Sequence, residues 1–293
     1  MAQPERADGP TAAEIDEVVV RELAEDEGSG DLTSAALPSS ARARARLVAK
    51  APGVFCGAEL FARTFRRVDS SVEVVMTGAD GDRVEPGQEL GTIVGPARAL
   101  LVAERTALNF AQRLSGIATL TRAMVDAADP VRVLDTRKTT PGLRRFEKYA
   151  VVCGGGENHR YGLWDQVLVK ENHVELSARP MRELVETLRN DNPDVLVTVE
   201  ARDETEALAA VGGGADVVML DNMAPAEMAR VGALVRAAAE ERGRGVELEA
   251  SGGVTLQTIG EVARASGVDR ISVGALTHSA PALDLSLRME AAE

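Results

Sequence analysis

From Val131 onward the chain repeats an architecture rather than a sequence. Six short apolar runs, VRVL (131–134), QVLV (166–169), VLVTV (195–199), VVML (217–220), VELEA (246–250) and RISV (270–273), recur every 20–35 residues or so. Mostly helical patterns lie between them. Uninterrupted apolar strands alternating with helices dictate a parallel sheet covered on both faces. Six such units suffice to close, or nearly close, a barrel; an open doubly wound sheet is the other arrangement compatible with the pattern. Aromatic residues make up only 3% of the chain. Ala, Val, Leu and Gly must therefore build the core, which favours tight helix-on-sheet layers.

The residues that end each run carry the functional signal. The first ends in Asp135-Thr136-Arg137-Lys138, the second in Lys170-Glu171-Asn172-His173, the third at Glu200 and the fourth at Asp221-Asn222. The fifth ends in Ser251-Gly252-Gly253 and the sixth in Ser272-Val273-Gly274, followed by His278. In α/β barrels the active site lies at the C-terminal ends of the strands, and here all six ends are polar, charged or glycine-rich. Arg137, Lys138, Arg160 and Lys170 should converge there with His159. Arg offers a planar fork for carboxylate or phosphate, and Lys a compact point charge, so the expected ligand is polyanionic. The two glycine-bearing ends can bring backbone N–H groups close to a phosphate. Glu200 and Asp221 can bind ribose hydroxyls, hold Mg²⁺, or neutralise the neighbouring cations.

The stretch Asp135–Arg160 concentrates six Lys/Arg against three Asp/Glu in a chain of net charge −13. Within it, Arg144 and Lys148 read as the solvated face of a helix. Cys153 reads as a small core residue rather than a nucleophile, and Gly154-Gly155-Gly156 as a flexible loop that turns His159 and Arg160 back over the site. The acidic balance argues against nucleic acid and anionic membranes as partners. Two cysteines without CxxC spacing, no apolar leader and no long apolar run point to the cytoplasm.

Ahead of the barrel, the first ten residues read as a loose tail. A helix should follow Thr11, with Ile15, Val18, Val19 and Leu23 at helical spacing. Strand-like pieces separated by turn signals fill residues 45–95. A long helical stretch follows, over 97–128, broken or bent near Gly116. The expected division is an N-terminal domain over 1–116, a barrel over 117–278, and a C-terminal helix over 279–293 that packs back on the N-terminal domain.

The segment TRKTTPGLRRFEKYAVVCGGGENHRYGLWDQVLVKENH (136–173) resembles the central signature of the quinolinate phosphoribosyltransferases, type II phosphoribosyltransferases also called carboxylating nicotinate-nucleotide pyrophosphorylases. EDEGSGDLTS, ERTALNFAQRLSGIAT, VMLDNM, LEASGG and ISVGALTHS extend the likeness over nearly the whole chain. The resemblance implies an α/β sandwich-like N-terminal domain followed by an open seven-stranded α/β barrel, one strand more than the six runs. It implies a homodimer with shared active sites, in some members assembled further into a hexamer. The implied reaction joins quinolinate to 5-phosphoribosyl-1-pyrophosphate with Mg²⁺, giving nicotinate mononucleotide, pyrophosphate and CO₂ on the de novo route to NAD. By the same resemblance Arg137, His159, Arg160 and Lys170 are the quinolinate-binding cations, and Arg105 is an arginine supplied across the dimer interface. Lys138 and His278 suit the pyrophosphate, Glu200 and Asp221 the ribose and metal, and Ser251–Gly253 with Ser272–Gly274 the phosphate.

Two rival readings remain. A related transferase acting on nicotinate or another ring acid would need fewer cations, because nicotinate has a single carboxylate. The stretch GADGDRVEPGQELGTIVG (78–95) resembles the hairpin of biotinyl and lipoyl carrier domains, but it contains no lysine to modify.

Overall fold

The computed structural model describes residues 9–292, which divide into two compact units. One comprises residues up to Arg122, Thr140–Gly155 and the segment from Ser279; the other comprises Ala123–Thr139 and Gly156–His278. The expected N-terminal tail falls almost entirely on residues 1–8, outside the described residues.

In the first unit, helix α1 (Ala12–Glu27) starts at a capping box. Thr11 Oγ1 accepts from the Glu14 N–H, and the Glu14 carboxylate accepts from the Thr11 N–H. Its buried residues are Ile15, Val18, Val19 and Leu23, the stripe that helical spacing predicts. Strands β1 (Arg42–Ala49), β2 (Gly53–Val54), β3 (Glu73–Met76), β4 (Arg83–Val84) and β5 (Glu89–Pro96) follow. Between β2 and β3 lies helix α2 (Ala58–Val68), which the strand-like reading of this stretch passed over. Asp80 Oδ1 accepts the Gly57 and Ala58 N–H groups at its start, at 2.8 and 2.9 Å. The four-stranded sheet has the order β12-β1-β5-β3, its last member, β12, being Leu285–Ala292.

That strand replaces the C-terminal helix expected over 279–293. In LSLRMEAA the bulky apolar side chains Leu285, Leu287 and Met289 alternate with Ser286, Arg288 and Glu290. A period of two is a strand signal, and β12 pairs antiparallel with β1 along its whole length. Arg42, Arg44 and Arg46 of β1 face solvent while Ala43, Ala45 and Leu47 enter the core. Phe55, Phe61, Phe65, Leu90, Ile93 and Leu100 fill that core with no exposed surface.

Helix α3 (Ala97–Ala128) runs unbroken through Gly116; its residues from Ala123 belong to the second unit. The glycine there is demanded by packing rather than by a bend. A Cβ at Gly116 would stand 2.0 Å from the Pro281 carbonyl oxygen. Helix α4 (Arg144–Cys153) belongs to the first unit, so the cationic stretch is divided between the units. Lys148, expected on a solvated face, is buried at 1% exposure. Its helix is covered over a wide face that also takes in Phe146, Glu147, Ala150 and Val151. Arg144 is half-buried.

The second unit is the parallel sheet. Strands β6 (Arg132–Leu134), β7 (Val167–Val169), β8 (Val197–Ala201), β9 (Val217–Asp221), β10 (Glu247–Ser251) and β11 (Arg270–Ser272) correspond one for one to the six apolar runs. Their order is β6-β11-β10-β9-β8-β7. From β7 to β11 each strand pairs with the next in sequence, β11 pairs with β6, and the sheet is open between β6 and β7. A parallel bridge from Leu134 to Glu157 occupies the free edge of β6. It is tied by Asp135 N–H to the Glu157 carbonyl and by Glu157 N–H to the Val133 carbonyl. The seventh strand of the expected open barrel is thus reduced to one bridging residue. Helices α5 (Glu171–Ser177), α6 (Met181–Asp191), α7 (Glu204–Gly213), α8 (Pro225–Glu240), α9 (Ile259–Ala265) and α10 (Ala275–His278) connect the strands.

Candidate active site

The strand C-terminal ends bring most of the sequence-selected residues of the barrel to one mouth. Asp135, immediately after β6, is fully buried and holds the opposite segment: its Oδ1 accepts the His159 N–H at 2.9 Å and its Oδ2 accepts Asn158 Nδ2 at 2.6 Å. Arg137 and Arg160 come from these two tethered segments. Burial, then the neighbouring Arg137 guanidinium, lowers the pKa of Arg160, and Asp165 partly opposes this. Two guanidinium groups carried on tethered segments can seat an anion, and their planar forks suit carboxylates. Arg160 is steadied by donating from Nη1 to the Gln166 carbonyl at 3.3 Å.

Lys138, Gly274 and His278 form a second cluster. Lys138 N–H donates to Thr136 Oγ1 at 3.1 Å, and Thr277 Oγ1 donates to the Lys138 carbonyl at 2.8 Å. A Cβ at Gly274 would lie 2.9 Å from Lys138 Cδ and 3.2 Å from His278 Nε2, so the bare glycine leaves room for both side chains. Lys138 and His278 are exposed. Ser272 and Val273 lead into this turn, with Val273 N–H donating to the Leu134 carbonyl at 2.9 Å.

The third cluster joins the ends of β7, β8, β9 and β10. Lys170 Nζ lies 2.5 Å from Glu200 Oε2, and Asn222 Nδ2 donates to Asp221 Oδ2 at 2.6 Å. Beyond Ser251, Gly252 and Gly253 both have positive φ, 94° and 61°. Gly252 is constrained twice over, since a Cβ there would stand 2.3 Å from Asn222 Oδ1. Consecutive left-handed glycines turn backbone N–H groups outward, the geometry that receives phosphate oxygens.

The donor set also bears on a metal. Glu200 and Asp221 offer carboxylate oxygens, the hard donors that Mg²⁺ takes, and Mg²⁺ is commonly held by one or two carboxylates together with substrate phosphates. They do not form a self-sufficient cage. Among the described residues, the one group of three His, Cys, Asp or Glu ligand atoms within 4.8 Å of one another is Cys56, Asp80 and Cys153, in the first unit. In that group Asp80 Oδ2 accepts the Tyr149 hydroxyl at 3.0 Å, and burial pushes the Cys56 thiol well up. Cys153 is half-buried.

Arg105 is on α3 in the first unit, and it is exposed. The glycine run after Cys153 serves close packing as well as a turn. A Cβ at Gly154 would stand 2.5 Å from the Ala118 carbonyl oxygen, and Gly155 has φ 89°.

His159 differs from its expected part as one of the converging cations. Its ring is buried with 6% of the side chain exposed, Nδ1 accepts the Arg160 N–H at 2.8 Å, and Nε2 lies 3.4 Å from Glu249 Oε1. Glu249 and Arg270 were not selected from the sequence, although a signal existed. A charged residue inside an apolar strand of a doubly covered sheet is costly without a partner; VELEA contains two, Glu247 and Glu249, and RISV contains Arg270.

Comparison with known proteins agrees with this arrangement. Residues 31–115 match the N-terminal domain of quinolinate phosphoribosyl transferase, and residues 117–288 match its C-terminal domain. The chain is 40% identical over 265 residues to a probable nicotinate-nucleotide pyrophosphorylase [carboxylating] of Bacillus subtilis, covering 90% of this chain and 89% of that protein. It is 42% identical over 286 residues to the chloroplastic nicotinate-nucleotide pyrophosphorylase [carboxylating] of Arabidopsis thaliana, covering 93% of this chain and 82% of that one. The crystal structure of NadC from Streptococcus pyogenes superimposes with a TM-score of 0.89 at 36% identity, covering 98% of this chain and all of the other. With both domains matched in order and about two residues in five shared along nearly its whole length, the chain belongs to the quinolinate phosphoribosyltransferase family.

Proposed function

We propose that the chain transfers the phosphoribosyl group of 5-phosphoribosyl-1-pyrophosphate to quinolinate with loss of CO₂, producing nicotinate mononucleotide and pyrophosphate. The observation that carries this reading is the buried Asp135 carboxylate, which ties the segment bearing Arg137 to the segment bearing Arg160 at the C-terminal ends of the barrel strands. The chemistry of the two guanidinium groups fits a planar dicarboxylate, and they belong to the same mouth as a glycine cradle and two carboxylates.

Each cluster then has a task. Arg137 and Arg160 orient the pyridine ring so that its nitrogen meets the anomeric carbon in line, which contributes through pre-paid entropy. The Lys138 ammonium, backed by Gly274 and beside His278, neutralises charge on the departing pyrophosphate. Ser251–Gly253 and Ser272–Gly274 receive phosphate oxygens of the donor, and Glu200 and Asp221 accept from its ribose hydroxyls. Mg²⁺ on the pyrophosphate would supply Lewis-acid stabilisation of the leaving group, with Glu200 and Asp221 as its protein oxygens. Attack quaternises the ring nitrogen. The bond to the adjacent carboxylate then breaks, its electron pair stays on the ring carbon beside the cationic nitrogen, and that carbon takes a proton. No covalent enzyme intermediate is required.

The discriminating experiment supplies quinolinate or nicotinate as the acceptor with the same donor. Mononucleotide formation from quinolinate at least tenfold faster supports the dicarboxylate reading; equal or faster turnover of nicotinate would replace it with the rival.

Arg105 is assigned to a neighbouring copy's mouth in a homodimer, because the barrel unit already supplies Arg137, Lys138, Arg160 and Lys170. Mixing Arg105→Ala subunits with Lys170→Ala subunits should then restore roughly a quarter of the sites through heterodimers. Subunit exchange without any recovery would remove Arg105 from a shared site. Assembly into a hexamer is compatible with this arrangement, and the two free thiols suit a reducing compartment such as the cytoplasm.

A further inference from the structure

Glu249 sits in β10 with no exposed surface, deep below the mouth, and none of the chemical steps above uses it. A buried carboxylate is expensive unless a cation and polar donors meet it at short range. Here Arg270 Nε lies 2.8 Å from Oε2 and His159 Nε2 lies 3.4 Å from Oε1. Burial alone would push the carboxyl up, but His159, Arg270 and Ser272 outweigh it and hold the group below the usual carboxylate range. The charge is therefore retained inside the barrel, where an apolar side chain would pack at less cost.

The hydrogen bonds show what this charge can fix. A backbone N–H can only donate, so the 2.8 Å contact from Arg160 N–H makes His159 Nδ1 an acceptor. The imidazole proton is then on Nε2, the atom that faces Glu249. The His159 N–H is in turn fixed by Asp135. The chain from Asn158 to Arg160 is thus held on one side by Asp135, and on the other the His159 ring presents Nε2 to Glu249 at 3.4 Å. Arg160, the next residue, projects the guanidinium that shares the anion seat with Arg137.

We propose that Glu249 is a positioning residue for the Arg160 clamp, acting through the His159 imidazole, and that His159 serves quinolinate binding by holding this turn. This inference rests on the reading of the mouth as a quinolinate site. Arg270 keeps the Glu249 carboxylate charged and aimed, with Glu247 at 3.3 Å on its other side.

The test compares wild type, Glu249→Gln, His159→Asn and the double variant by direct binding of quinolinate without donor, and of inorganic pyrophosphate with Mg²⁺. Glu249→Gln should weaken quinolinate binding about tenfold or more and change pyrophosphate binding by less than about threefold. Added to His159→Asn, it should cost less than about twofold further, because the two act as one unit. Unchanged quinolinate affinity in Glu249→Gln would overturn the proposal, as would equal losses for both ligands or independent, multiplying effects. If Glu249→Gln does not fold, ¹⁵N-imidazole spectra of the wild type decide. The chain has only three histidines, and the His159 signals are identified by their loss in His159→Asn. A locked pattern with protonated Nε2 and an acceptor Nδ1 supports the proposal, and an averaged tautomer pattern overturns it. Should the wild type itself not bind quinolinate, the functional reading fails, while the imidazole spectra still decide the Glu249–His159 pairing.

Discussion

At the ends of the barrel where the strands begin, Arg189 and Arg244 approach one another, and Asp216 stands between them. Its carboxylate pairs with both, with Arg244 at 3.3 Å, and accepts the Val197 N–H at 2.8 Å. Asp269 repeats the device, taking Arg236 at 2.9 Å and the Leu248 N–H at 2.7 Å. At the mouth, Asp135 ties together the segments that carry Arg137 and Arg160, and Asp165, on Arg160's own loop, partly offsets the fall in the Arg160 pKa. The proposed dicarboxylate would do at the mouth what Asp216 does at the base. One end uses ion pairs to close the fold, and the other gathers the candidate site residues, which is the division of labour expected of the two faces of an α/β barrel.

The contrast is tested most severely at the mouth. Arg137→Ala and Arg160→Ala should each cost on the order of 2–5 kcal/mol of transition-state stabilisation, read as a fall in kcat/KM for quinolinate. Their melting temperatures, measured alongside, should stay close to wild type, so that the kinetic loss is read on folded protein. Activity within about threefold of wild type would show that these are not the carboxylate clamps. At the base the signs reverse. Asp216→Asn should lower unfolding free energy by about 1–3 kcal/mol, measured by denaturant titration, while kcat/KM stays within about threefold. A large kinetic loss at unchanged stability there would erase the distinction between the two ends. The smallest effect belongs to the outer helices. Arg230 on α8 pairs with Glu204 on α7 across exposed surface, so Arg230→Ala should change stability by no more than about 1 kcal/mol.

The sequence disclosed the barrel well because burial on both faces forces apolar runs, and all six became strands. It disclosed the strand-end residues for the same reason, since each run marks where its C-terminal end must be. It failed where tertiary packing, rather than local pattern, decides. Gly116 looks like a helix break until the Pro281 carbonyl is seen to occupy the space of its Cβ. Lys148 looks solvated because a cation on a helix usually is, and only the cover over α4 shows otherwise. The C-terminal segment is rich in residues that also suit helices, and pairing with β1 makes it a strand. Arg105 carries no local signal at all; only the family likeness singles it out. Glu249 was legible in principle, as a charge in a run that should be wholly apolar.

The most direct measurement follows carboxyl-labelled quinolinate with purified protein, recording CO₂ and pyrophosphate together. The account predicts CO₂ release only when both the ribosyl donor and Mg²⁺ are present, one CO₂ for each pyrophosphate, because the ring becomes an electron sink only after its nitrogen is ribosylated. Rapid decarboxylation of quinolinate without the donor, or pyrophosphate release with the labelled carboxylate retained, would contradict it.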